Sequence, residues 1–291
     1  MELPLVVGVD GSGPSLTAVD WAVDEAARRG LPLRLVYASL WERYEGALPS
    51  VGTERSSEQV MAEHVVGSAA ERAQRRNPDV KVSATILPED PVSALIGAGD
   101  AASVLVTGSR GRGELKGLLL GSVGLAVAAR AHCPVVVVRG DTAGLAGTHE
   151  RILLGAGESE ATGEAVRFAF REAEVRGCVL DVVRAWRRPT NETAGSLAVN
   201  EDSGRRHEEQ AAAFLDDLLR DAAAGHQAVR VRDATVEGPA HKVLVDRSAA
   251  ADLVIVGARR RSGYFGLQLG RTAHALLHHA QCPVAVVPHR V

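Results

Sequence analysis

The chain is written twice. Leu5–Gly30 aligns with Ile152–Gly177 at a shift of 147, without a gap. Gly8 meets Gly155, Ser12 meets Ser159, Ala18 and Val19 meet Ala165 and Val166, and Trp21 meets Phe168. Glu25 and Ala26 meet Glu172 and Ala173, and Arg29 and Gly30 meet Arg176 and Gly177. Further on, Ala102–Val135 aligns with Ala251–Val284 at a shift of 149, again without a gap. Gly108, Arg110, Gly117, Gly121, Ala126, Ala131, Cys133, Pro134 and Val135 all find identical partners there. A repeat this long means two copies of one domain, so any fold must be one that half the chain can make. The expected domains are 1–140 and 150–291. The stretch Gly140–Glu150 holds three glycines and two threonines and reads as a linker.

Each half alternates short apolar runs with helical patterns. In the first half the runs are Leu5–Val9, Leu33–Ala38, Val80–Leu87, Val104–Thr107 and Val135–Val138. They are rich in Val and Leu and do not alternate, as strands covered on both faces should be. Between them, Ser15–Arg29 carries Leu16, Val19, Ala22, Val23 and Ala26 at helical spacing and stops at Gly30. Glu58–Arg76 is a longer amphipathic stretch, Pro91–Gly97 opens on a helix-starting proline, and Ser122–Ala131 is a fourth helix. The second half repeats the strands at Ile152–Ala156, Val179–Arg184, Ala228–Val236, Leu253–Val256 and Val284–Val287. The expected class is α/β, two tandem Rossmann-like domains, each a five-stranded parallel sheet with helices on both faces. The polar segments Trp41–Ser57 and Arg188–Gly204 read as long mobile loops. The charged run from Arg205 to Glu209 reads as the solvated start of a helix.

Composition narrows the function classes. With 291 residues, 46% hydrophobic and 24% charged, the chain has apolar material for two cores. A net charge of −3 gives no electrostatic case for nucleic acid or an anionic membrane as main partner. There is no apolar run of membrane-spanning length and no secretory pattern at the N-terminus, so the cytoplasm is the expected location. The three cysteines, Cys133, Cys178 and Cys282, are odd in number and widely spaced, and read as small apolar packing residues.

The chemistry concentrates after the fourth strand. Gly108, two residues, Gly111, nine residues, then Gly121 and Ser122 form a glycine loop between strand and helix. Such a loop lets bare backbone N–H groups approach phosphate oxygens at a helix N-terminus. The first strand ends at Val9 and Asp10, which would point to the same crevice outside the carboxyl ends of the strands. Asp10 reads equally well as a turn or cap aspartate within Asp10, Gly11 and Ser12. Arg110 and Arg112 flank the loop and can pair with phosphate, or stand solvated. Lys116 can reach a phosphate or face water.

This glycine spacing, in this place, resembles the ATP-binding subclass of the universal stress protein family. The resemblance implies an adenine nucleotide alpha hydrolase-like fold and ATP, with Mg, as the ligand. It implies that Val9 and Asp10 contact the nucleotide or its metal, and that the backbone of Ala38 meets the adenine edge. Gly108 would lie under the ribose, with Arg110, Gly111, Gly121, Ser122 and the N–H of Val123 around the phosphates. It also implies an intrachain pseudo-dimer of the two domains through their last strands, with a homodimer of chains open.

No water-activating base, metal cage or phosphate-gripping lysine motif stands out, so the expected role is a nucleotide-binding regulator of stress response or growth. Catalytic and dedicated metal residues are expected to be absent. Two alternatives are a slow ATP-hydrolysing or adenylyl-transferring enzyme and a ligand-free interaction scaffold. His274 and His278 lie at i, i+4 on one helix beside His279, without an evident third ligand. In the second half Gly157 stands opposite Asp10, Arg260 opposite Gly111 and Arg271 opposite Ser122. That half is therefore expected to bind ATP weakly or not at all.

Overall fold

The computed structural model describes residues 3–40, 57–110, 120–158, 162–188, 197–258 and 269–289. The chain separates into two compact units, Met1–Arg139 and Gly140–Val291. Among the described residues, no helix is long and apolar enough to cross a membrane.

In the first unit the strands are β1 (Leu5–Gly8), β2 (Leu33–Ala38), β3 (Val82–Leu87), β4 (Val104–Gly108) and β5 (Val135–Val138). They are parallel, in the order β3-β2-β1-β4-β5. The helices are α1 (Gly13–Arg29), α2 (Ser57–Arg76), α3 (Pro91–Gly99) and α4 (Ser122–Arg130). The chain winds outward through β2 and β3, then crosses back beyond β1 to β4 and β5. Right-handed crossovers therefore put α1 and α2 on one face and α3 and α4 on the other. Within the pairs, α1 contacts α2 and α3 contacts α4. The order reverses between β1 and β4, and a crevice opens there beyond the strand ends.

Local sequence explains these elements. Leu5, Val6 and Val7 of β1 are fully buried, as a central strand covered on both faces requires. The edge strand β3 is partly exposed instead, because one of its sides has no partner in the unit. The Ser12 side chain caps α1 by accepting from the Ser15 amide, Pro14 sits in the first turn, and Gly30 ends the helix at φ 65°. Its inner face buries Ala18, Val19, Trp21, Ala22, Val23 and Ala26, at about 1.5–3 kcal/mol for each larger side chain. Glu25 on the same face is fully buried and takes Arg29 Nε at 2.6 Å. The second unit repeats the pair with Glu172 and Arg176 at 3.3 Å, which explains why both positions recur in the sequence repeat.

The second unit has β6 (Arg151–Gly155), β7 (Val179–Trp186), β8 (Arg230–Glu237), β9 (Leu253–Gly257) and β10 (Val284–Val287). They are parallel in the order β8-β7-β6-β9-β10, the same topology. Its helices are α5 (Thr142–Ala146), α6 (Thr162–Arg176), α7 (Leu197–Gly225), α8 (Ala240–Arg247) and α9 (Arg271–His279).

Two local readings change. The segment Arg188–Gly204 is not all loop, because α7 begins at Leu197 and runs through Gly204. Gly204 lies inside this helix, and a Cβ there would sit 3.1 Å from nitrogens of the Arg188 guanidinium, a flexible side-chain end that can give way. The run from Arg205 to Glu209 is therefore inside a helix, not at its start, with Arg205 and Glu209 paired at i, i+4. Within Gly140–Glu150, α5 is capped by Asp141, whose carboxylate accepts from the Gly144 amide at 2.9 Å. A Cβ at Gly140 would collide with the Gln281 carbonyl, and one at Gly144 would sit 2.9 Å from it. Those glycines serve close packing inside the second unit rather than looseness. The loop residues 41–56 lie outside the described residues.

The three cysteines are buried and none is disulfide-bonded. Burial pushes the Cys178 thiol up, so it is held protonated and unreactive.

Candidate functional site

The first unit's crevice has a volume of about 440 Å³ and lies over the ends of β1, β2 and β4. It collects Val9, Asp10, Ala38, Gly108, Arg110, Gly121, Ser122 and Val123 in its wall. Gly111, Arg112 and Lys116 lie outside the described residues.

Asp10 follows β1 and turns the chain into α1. Its Oδ1 accepts the Ser12 amide at 2.9 Å, while Gly11 takes φ 79°, a conformation that favours glycine. The Asp10 amide leans on the Ser15 hydroxyl at 3.4 Å, and that hydroxyl donates to the Ser12 carbonyl at 3.0 Å. Asp10 thus holds a turn and lines the crevice at once. Ser12 is the α1 cap.

The glycine loop is closed at its stem. The Gly121 amide donates to the Ser109 carbonyl at 2.7 Å, and the Ser109 amide donates to the Val138 carbonyl at 3.1 Å. The two ends of the loop therefore meet at the tip of β4. Gly121 is the N-cap of α4, in extended conformation, and among the described residues no side chain caps this helix. The first intrahelical bond runs from the Leu125 amide to the Gly121 carbonyl at 3.2 Å. The amides of Ser122, Val123 and Gly124 have no intrahelical acceptor and carry the positive end of the helix dipole. In contrast, α1 and α3 are capped by Ser12 and Asp90. Asp90 accepts from the Val92 and Ser93 amides at 3.1 Å each. Bonds from Ser93, first through its side chain and then its backbone, hold the Asp90 carboxyl below its usual range.

Thr107 is a wall residue that sequence reading passed over. It is 4% exposed, and its hydroxyl has no hydrogen-bond partner among the described residues. A Cβ at Gly124 would lie 3.4 Å from that oxygen, so the hydroxyl sits under the first turn of α4. A buried hydroxyl without a partner costs free energy unless a ligand or water satisfies it. The opposite wall is apolar, with Tyr37, Pro91 and Leu95 beside Ala38. A uniform polar end and an apolar side suit an anion attached to a flat apolar body.

The second unit holds a crevice of about 710 Å³ at the equivalent place. Val256 replaces Thr107 there, and Gly157 and Arg271 replace Asp10 and Ser122. A carboxylate is nevertheless present, one residue later than expected, on Glu158. Arg260 lies outside the described residues. On α9 the His274 and His278 rings stack at 4.4 Å between centroids. No group of three His, Cys, Asp or Glu side chains among the described residues is placed to hold a metal.

The universal stress protein family matches residues 3–139 and again residues 148–288. A universal stress protein of Mycobacterium tuberculosis strain H37Rv is 33% identical over 297 residues, covering 97% of this chain and 96% of that protein. A second from the same strain is 31% identical over 298 residues, covering 98% and 96%. Among solved structures, a universal stress protein from Archaeoglobus fulgidus has a similar fold, with a TM-score of 0.66 at 18% identity, covering 98% of each chain.

Proposed function

The chain belongs to the universal stress protein family, and from that premise we propose that its first half binds ATP to regulate a stress or growth response. The observation that carries the reading is the N-terminus of α4, uncapped among the described residues, beside the Thr107 hydroxyl, both opening on one crevice. Three amides and a hydroxyl form a donor array for phosphate oxygens. The adenine packs between the end of β2, at Tyr37 and Ala38, and the α3 residues Pro91 and Leu95. Mg²⁺ bound with the nucleotide neutralises phosphate charge and meets Asp10. Arg110, at the rim, adds charge to the phosphate end.

The role proposed is binding without turnover as its purpose. Asp10 Oδ1 is committed to the Ser12 amide, so the carboxylate nearest the phosphates already serves the backbone. Nucleotide would act at the rim where Ser109 and Gly121 meet, and so alter the surface a partner reads.

The test is calorimetry of the full chain with ATP and Mg²⁺, paired with mass analysis of nucleotide released from gently purified protein. ATP recovered intact, and a binding isotherm abolished by Gly121→Arg, is the expected result. Absence of any adenine nucleotide in both measurements rejects the reading in favour of a ligand-free scaffold. Release of ADP with steady turnover, lost in Asp10→Ala, favours the enzyme.

A further inference from the structure

We propose that the second unit's crevice is an anion site of a different kind, which takes the phosphate of a small phosphorylated molecule without a divalent ion. This inference stands apart from the reading of the first half. The described wall carries three arginines, Arg184, Arg187 and Arg271, and His241, against the single carboxylate of Glu158. Among the described residues the first crevice has one arginine and one aspartate in its wall. The same fold thus presents a balanced crevice in one copy and a cationic one in the other.

Arg184 is built in. Its side chain is 16% exposed, its Nη1 donates to the Ala156 carbonyl at 3.3 Å, and its guanidinium sits 4.7 Å from the centre of the Phe214 ring. Its Nη2 pairs with Glu158, whose side chain is 71% exposed. A mostly buried, fixed cation is paired with a carboxylate that reaches in from solvent. Glu158 therefore occupies, in the ligand-free chain, the place an incoming anion would take on Arg184. Arg271 stands at the first position of α9, behind Gly270, an N-cap that offers no side-chain bond. Helix dipole and guanidinium act there in the same direction on an anion.

The same arrangement argues against a metal-assisted mode. Gly157 removes the carboxylate that the first half places at the end of its first strand. Glu158, its replacement in the wall, is engaged by Arg184, so a cation would have to displace a guanidinium. Trp186, at the end of β7 in the same wall, supplies a local reporter; its indole nitrogen has no partner among the described residues.

The experiment titrates inorganic pyrophosphate into the full chain in EDTA, read by calorimetry and by tryptophan fluorescence, with Trp186→Phe identifying the signal. A saturable event reported by Trp186 is expected, and it should persist in Gly121→Asp, whose carboxylate closes the first crevice to phosphate. Arg271→Ser, which restores the first-half residue, should weaken it about tenfold. Glu158→Gln should tighten it severalfold, because the internal competitor is gone; a merely structural ion pair gives no such gain. Lack of saturation, a requirement for Mg²⁺, or indifference to Arg271→Ser and Glu158→Gln overturns the proposal.

Discussion

Gly108 lies against the backbone of Pro14: a Cβ at residue 108 would stand 2.7 Å from the Pro14 carbonyl carbon and oxygen. The strand that carries the glycine loop is thus pressed onto the first turn of α1, the turn that Asp10 shapes. Its missing side chain serves helix–strand packing before it serves any ligand. Backbone cannot retreat as a flexible side chain can, so Gly108→Ala is expected to cost about 1–3 kcal/mol. Thermal unfolding followed by circular dichroism should show one transition lowered, while the second unit's transition holds. An unchanged melting profile would mean that the Pro14 contact relaxes freely.

A different outcome is expected at Gly121. It caps α4 in an extended conformation that any residue adopts, with φ −74° and ψ 148°. Gly121→Asp supplies the missing cap, and stability should rise by a few tenths of a kcal/mol. The same carboxylate occupies the amides of the first turn and repels phosphate. ATP affinity measured by calorimetry should fall by at least tenfold while the melting temperature holds or rises. Loss of both together would point to misfolding of the loop instead.

These two glycines indicate how far the sequence could be read. Periodicity and the repeat make the strands and the two-unit plan legible, since central strands such as β1 must be apolar on both faces. The stop of α1 at Gly30 also shows in sequence, whereas its cap is Ser12 rather than Asp10. The start of α7 does not show, because Gly204 signals a break although the helix runs through it. Glycines 140 and 144 read as looseness, yet they make room for the Gln281 backbone. In the crevice, glycine spacing marks backbone that approaches closely, but Thr107 has no such marker. A threonine at a strand end is common, and only its exchange for Val256 in the repeat hints at a role. Glu158 escaped attention because position-by-position alignment looks for a carboxylate at Gly157 and not one residue beyond.

The Asp90 cap should make α3 sensitive to acid. Bonds from Ser93 and Val92 favour the carboxylate, so the folded chain holds this group below its unfolded value of about 3.9. A depressed carboxyl contributes stability that is fully present above the unfolded value and is lost as pH falls through the folded one. Asp90→Ala should therefore lower the melting temperature near neutral pH. The gap from the unaltered chain should narrow as pH drops below about 4. A gap that persists undiminished at lower pH would assign the effect to something other than the charged cap. Because Pro91 and Leu95 belong to the crevice wall, weaker ATP binding is expected alongside.

Thr107 separates stability from ligand binding most sharply. Its hydroxyl is buried beneath α4 and has no partner among the described residues, so the ligand-free chain carries the cost of desolvating it. Valine has nearly the same shape and already fills the equivalent position of the second unit, at Val256. Thr107→Val should therefore stabilise the ligand-free first unit by about 1 kcal/mol, seen as a higher melting temperature. With ATP and Mg²⁺ present the order should reverse, since the variant lacks one donor and gains less from the nucleotide. The measurement is the melting temperature of both chains with and without ATP. If the variant is destabilised in the absence of ligand, an ordered water satisfies the hydroxyl; if the ATP-induced rise is equal in both chains, Thr107 takes no part in holding the phosphates.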